Sequence, residues 1–171
     1  MTKGIDVSQW QGDINWGAVN ADFAILRAGY GKVKSQIDTK FEQNYRNAKA
    51  VGMPLGAYWY SYAMSADEAR EEAKVFIDII KGKQFEYPVY FDVEEAKTLA
   101  LGRDRVSDII IAFLEEMEKA GYFAGLYMSA SPLTTHTTEF VKKRFAIWVA
   151  NYGVSKPSYS GQYGMWQYSS T

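Results

Sequence analysis

The segment Val89-Tyr90-Phe91-Asp92-Val93-Glu94 sets two carboxylates two residues apart behind an apolar run. In an extended chain side chains alternate faces, so Asp92 and Glu94 point one way and Val89, Phe91 and Val93 the other. The rise of a strand puts their α-carbons about 6.6 Å apart, near enough for the carboxyls to couple. Like charges held together raise the pKa of one partner, leaving one acid protonated and one ionised near neutrality. A protonated acid beside a carboxylate is the equipment for breaking a glycosidic bond. The plainer alternative is a pair of solvated acids at a loop edge, and the triplet alone leaves both readings open. Asp6, between Ile5 and Val7, repeats the pattern of an inward acid on an apolar strand, although a lone acid there also serves as a cap. Asp38 precedes a helix, where capping is its simplest task, on the same side of the fold as the pair.

Other chemistries are narrowed by composition. The chain has no cysteine, which removes disulfides, thiol catalysis and thiolate metal sites. Its single histidine, His136, lies in the run Thr134-Thr135-His136-Thr137-Thr138 and reads as a solvated loop residue. A histidine-based triad, a multi-histidine metal site and a cofactor are therefore not expected. A net charge of −1 gives no general pull toward nucleic acid, and no apolar run approaches a membrane span. Met1-Thr2-Lys3-Gly4 runs straight into the fold, so the expectation is a product without a signal peptide, made in the cytoplasm. Aromatic residues make up 16% of the chain, which fits either a large aromatic core or platforms that stack on pyranose rings.

The elements that must position these groups alternate strand and helix. Strands are expected at 4–8, 23–28, 55–62, 89–94, 123–129, 146–150 and 164–168. Helices are expected from Thr39-Lys40-Phe41-Glu42 to Gly52, from Ser65-Ala66-Asp67-Glu68 to Gly82, and over about 105–120. Both starts read as capping boxes and the glycines as stops. Short helices are expected near Trp16–Val19 and after Ser131-Pro132, with little between the last two strands. Such alternation predicts parallel strands covered by helices, in a barrel or an open doubly wound sheet. Two features favour the barrel. Polar residues recur at strand C-terminal ends (Asp6, Arg27, Asp92, Glu94, Asn151), where barrels build their active sites. In addition, no glycine-rich phosphate loop follows the first strand.

Taken together, Gly4-Ile5-Asp6-Val7-Ser8-Gln9-Trp10-Gln11-Gly12, Tyr90-Phe91-Asp92-Val93-Glu94 and Trp166-Gln167-Tyr168 resemble the family 25 glycoside hydrolases, the N-acetylmuramidase-type lysozymes of phage endolysins and bacterial autolysins. Asp38 with Phe41 and Asn44, and Gly125-Leu126-Tyr127-Met128-Ser129, match as well. The resemblance implies an irregular TIM-like (β/α)5(β)3 barrel forming a single catalytic domain over residues 1–171. It implies hydrolysis of the β-1,4 bond between N-acetylmuramic acid and N-acetylglucosamine in bacterial peptidoglycan, after phage-type release to the wall. Carried over, Glu94 is the general acid/base, Asp92 assists the substrate N-acetyl group, and Asp6 supports the pair. Arg27, Asp38, Tyr58, Tyr127, Trp148 and Trp166 are the implied substrate contacts. The chain departs from the family pattern twice. Tyr58-Trp59-Tyr60-Ser61-Tyr62 replaces a Tyr-His-Phe-like segment, and the family continues past Trp-Gln-Tyr to a last strand carrying another aspartate, so a truncated barrel lacking that strand is expected. A monomer is expected unless an open barrel edge drives association. The competing class is a non-catalytic or weakly active wall-binding derivative of the same fold. A chitinase-like barrel is disfavoured, because only Asp92-Val93-Glu94 stands where a longer acidic run is usual.

Overall fold

A computed structural model describes all 171 residues. Seven strands form one parallel sheet in chain order: β1 (Gly4–Val7), β2 (Phe23–Tyr30), β3 (Leu55–Tyr60), β4 (Val89–Asp92), β5 (Ala124–Ser129), β6 (Ala146–Ala150) and β7 (Met165–Gln167). The sheet curls into a half-barrel. β1 and β7 share no ladder, so the expected gap between first and last strands is present. Six helices accompany it: α1 (Phe41–Ala50), α2 (Ala66–Ile80), α3 (Ala96–Leu99), α4 (Arg103–Lys119), α5 (Ala130–Thr135) and α6 (Glu139–Arg144). None is long and apolar enough to cross a membrane. As expected, no helix separates β6 from β7.

The period-2 alternation of the strands divides the apolar residues into two cores. Leu26, Leu55, Trp59, Phe91, Leu126 and Val149 face outward, beneath the apolar stripes of the helices. At the centre of that layer a stack of rings joins two strands through two helices. Trp59 of β3 lies 5.3 Å from Phe76 of α2, Phe76 lies 6.1 Å from Phe113 of α4, and Phe113 lies 3.8 Å from Phe91 of β4. Trp59 also donates its indole N–H to the Gly31 carbonyl at 2.9 Å. The stack fixes the outward faces of β3 and β4, and with them the direction in which Tyr58, Tyr60 and Asp92 point.

The inward side chains make a smaller core of Phe23, Ile25, Tyr90, Tyr127, Trp148 and Ala150, with Tyr58, Tyr87 and Met165 against it. Rings fill the barrel only because glycines stand opposite them. A Cβ on Gly4 would meet the Phe23 ring at 2.2 Å, and one on Gly125 would meet Tyr90 at 2.7 Å.

Several expected boundaries move. β3 stops at Tyr60 rather than Tyr62, and β4 at Asp92 rather than Glu94, because the two ladders end together at the Tyr60–Asp92 pair. The capping box expected at Thr39 does not form. Lys40 occupies the cap position of α1 with no side-chain bond to the helix, and its N–H is taken by the Asp38 carboxylate at 2.9 Å, while the Thr39 hydroxyl donates to Gln9 Oε1 at 3.2 Å. At α2 the expected cap holds: Ser65 Oγ accepts from the Glu68 N–H at 3.2 Å. Glu68 reaches the Met64 N–H instead of completing the box. The short helices α3 and α6 were not expected, and His136 lies at the C-terminal end of α5, where its ring nitrogen shares a 2.7 Å hydrogen bond with Thr135.

Candidate active site

The C-terminal ends of β1 to β5 bring Asp6, Arg27, Tyr58, Asp92 and Tyr127 to one mouth, with Glu94 on the loop just past β4. Asp92 is 5% exposed. Burial pushes its carboxyl well above the usual range, the charges of Glu94 and Asp6 add to the rise, and Arg27 opposes it. Glu94 stands at the exposed rim, yet protein on its inner side removes enough water to raise its pKa too. Each side chain lies close enough to shift the other's titration, Glu94 raising Asp92 and Asp92 lowering Glu94. Like charges held together resist ionising at once, so the pair keeps one proton over the range between its two titrations. Asp92 Oδ1 is buried and has no hydrogen-bond partner. A bare buried carboxyl oxygen costs stability.

Asp6 is the third acid. Burial raises its pKa, and hydrogen bonds from Gln167 and its own backbone N–H pull it down. The Gln167 amide nitrogen donates to Asp6 Oδ2 at 2.8 Å, across the gap between β7 and β1. Tyr58 belongs to the same cluster: after burial, the charges of Asp92 and Asp6 are what raise its phenol. Tyr127 is raised by burial and then by Glu94, and its hydroxyl donates to Gln167 Oε1 at 2.5 Å.

The remaining expected contacts fall in three places. Arg27 and Asp38 form an ion pair at 2.7 Å, with the Asp38 side chain fully shielded. Asp38 also accepts the N–H of Gln9 at 3.0 Å and that of Lys40 at 2.9 Å. Both its oxygens are thus engaged by protein, and its role is to tie the turn after β1 to the start of α1. That turn presents Trp10, which is 77% exposed. Trp148 is buried beneath the mouth, its ring edge-on to Tyr58, Tyr90 and Tyr127, so it forms the floor. Trp166 does not join the site. It faces outward against the helical layer and donates to the Asn151 carbonyl at 2.9 Å. The reason is parity: Gln167 points inward to Asp6, so its neighbour on the strand points outward.

Sequence reasoning missed four residues. Tyr60 donates to Glu95 at 2.6 Å on the rim beside Glu94. Tyr152, after β6, donates to Gln167 at 2.5 Å. Gln167 joins both ends of the sheet. Glu72 of α2 is fully buried and accepts from the Ser61 hydroxyl and the Tyr62 N–H, each at 2.8 Å; Ser61 N–H in turn donates to the Asp92 carbonyl at 2.9 Å. The one usable signal was a glutamate on the apolar stripe of an amphipathic helix. A cavity of about 390 Å³ lies at the opposite end of the barrel, among Lys83, Phe85, Tyr87 and Phe123. Its one carboxylate, Glu86, is held by Lys49 and the Leu55 N–H, so the chemistry is at the mouth.

A half-barrel of parallel strands with two acids at the end of the fourth defines an irregular TIM-like barrel. The chain belongs to the glycosyl hydrolases family 25, whose family model matches residues 5–171. It is 28% identical over 170 residues to the autolytic lysozyme of Clostridium acetobutylicum, covering 98% of this chain and 50% of that protein. The chain therefore spans half that relative's length. Among solved structures, the CTP1L endolysin superposes with a TM-score of 0.87 at 28% identity, over 99% of this chain and 60% of that one. The modular autolysin LytC from Streptococcus pneumoniae, in complex with a synthetic peptidoglycan ligand, superposes with a TM-score of 0.85 at 29% identity, over 99% of this chain and 43% of that one.

Proposed function

We propose that this chain is a muramidase that hydrolyses the β-1,4 bond between N-acetylmuramic acid and N-acetylglucosamine of bacterial peptidoglycan, with Glu94 as general acid/base and Asp92 as partner of the substrate N-acetyl group. Family membership and the lysozyme names of its relatives support the substrate class. The observation that carries the assignment of roles is a pair of adjacent acids whose buried member, Asp92, keeps one oxygen without a partner.

An N-acetyl group entering the mouth brings an amide N–H. Donated to Asp92, that N–H stabilises the ionised carboxylate, because hydrogen bonds to the charged form favour it. The proton shared by the pair then resides on Glu94. Substrate binding thus arms the acid at the rim, where the glycosidic oxygen lies, and orients the acetyl oxygen for attack on the anomeric carbon. Glu94 protonates the leaving oxygen and afterwards takes a proton from the water that opens the cyclic intermediate. Asp6 keeps negative charge near the ring as positive charge develops, and Tyr58 and Tyr127 wall the site. Trp10 offers a free aromatic face beside the mouth for a neighbouring sugar.

The test is release of new reducing ends from purified cell walls by the wild-type chain and by Glu94→Gln. The reading requires turnover by the first and a loss of at least about two orders of magnitude in the second. A wild-type chain that binds walls without turnover would establish the binding-module alternative instead.

A further inference from the structure

β7 is an edge strand with no ladder partner on the β1 side, yet one side chain crosses the open seam. The backbone of Gln167 is held from β6, in register with Ala150, and its carbonyl accepts the Asn151 N–H at 3.1 Å. Its side chain then makes three contacts. Nε2 donates to Asp6 Oδ2 at 2.8 Å, and Oε1 accepts from the hydroxyls of Tyr127 and Tyr152, each at 2.5 Å. Chemistry fixes the orientation of the amide: an ionised carboxylate only accepts, so the nitrogen must face Asp6, and the oxygen then meets two hydroxyls able to donate.

We propose that Gln167 is a positioning residue for the reaction, a clasp that holds Asp6 against the Asp92–Glu94 pair without itself touching substrate. The proposal rests on the muramidase reading. Asp6 is otherwise supported only by its own backbone N–H against the burial that favours its protonation. The titratable groups that feel its charge are Tyr58 from β3 and Asp92 from β4. Neither gives Asp6 a side-chain hydrogen bond; Gln167 does.

The experiment compares Gln167→Met, which keeps size and loses all three bonds, and Gln167→Glu, which keeps the acceptor for the tyrosines and loses the donor to Asp6. The Asp6 carboxyl is titrated by carbon NMR, and kcat and KM are measured against pH on soluble wall fragments. The expected result is an Asp6 titration displaced upward in both variants. The acid limb of the rate profile moves with it, and kcat falls at least about tenfold while KM stays within about twofold. The double variant Asp6→Asn with Gln167→Met should be no slower than Asp6→Asn alone, because Gln167 acts through Asp6. An unmoved Asp6 titration in a natively folded Gln167→Met, or losses that multiply in the double variant, would overturn the proposal. If Gln167→Met does not fold, Gln167→Glu carries the same test. A wild-type chain inert on walls would remove the muramidase reading, while the Asp6 titration still decides the clasp.

Discussion

At the residue scale, the site is a place where stability is given up for chemistry. The folded-state pKa values of Asp6, Asp92 and Glu94 all lie above their ordinary values. A group raised by folding binds more protons in the native than in the unfolded state. Its stabilising contribution is fully present below the ordinary carboxylate range and is lost as pH rises through the folded value. At neutral pH these acids therefore strain the fold. Asp92→Asn is expected to abolish most turnover, since a neutral amide lacks the negative charge that holds the acetyl N–H, and to raise the melting temperature at pH 7. Calorimetry and wall lysis on the same sample check both halves; a variant that loses activity and stability together would show that Asp92 is structural. Trp10→Ala, on an exposed ring, should leave kcat and the melting temperature unchanged and raise KM about two- to tenfold, read from initial rates on wall fragments. Asp92 was legible in the sequence because period-2 alternation on a short apolar run fixes which side chains share a face, whereas Glu94 lies past the strand's end, where alternation no longer sets its direction. Gln167 was not legible as an active-site residue, because its partner Asp6 lies 161 positions away and no local pattern links them.

At the element scale, the helices do more than cover the sheet. Glu72 reaches from α2 to the end of β3, where it holds Ser61 and the Tyr62 N–H. Burial raises its pKa to about 7, against the opposing pull of those two hydrogen bonds. Its native protonation contributes stability that is complete below pH about 4.5 and declines as pH rises to about 7. Glu72→Gln imitates the protonated form. The variant is expected to match wild type near pH 4 and to be more stable at pH 8 by roughly 1–3 kcal/mol, or a few degrees in Tm. A constant offset between the two chains across that range would contradict the assignment. In the outer layer, Phe113→Ala opens the ring stack between Phe76 and Phe91 and should cost about 3–5 kcal/mol, measured by denaturant unfolding. The strands and the three long helices could be read from apolar periodicity and glycine stops. Their ends could not, because they depend on partners: β4 ends at Asp92 where its neighbour β3 ends, and the cap expected from Thr39 is displaced by Asp38, whose carboxylate is already turned toward Lys40, Gln9 and Arg27.

At the scale of the whole molecule, a half-barrel brings residues from both ends of the chain to one mouth and leaves a seam there. The class of fold followed from strand–helix alternation together with polar strand ends. The assignment of Trp166 to the mouth failed because a three-residue strand offers too little alternation to fix its parity, and parity was set instead by Gln167 reaching Asp6. On the proposed roles, the coupling of Asp92 with Glu94 is expected to give a bell-shaped rate profile. Below the first titration of the pair both acids are protonated and no carboxylate remains to hold the acetyl group; above the second both are ionised and no acid remains. Both values are raised, so the alkaline limb should lie above the ordinary range of a glutamate, and a profile flat from pH 4 to 8 would contradict a shared proton. The central claim is tested most directly by the chemical identity of the new reducing end. Purified peptidoglycan digested with the wild-type chain, reduced with borohydride and analysed by mass spectrometry should yield fragments ending in reduced N-acetylmuramic acid, and Glu94→Gln should yield essentially none. Fragments ending in reduced N-acetylglucosamine, or equal release by the variant, would contradict the account.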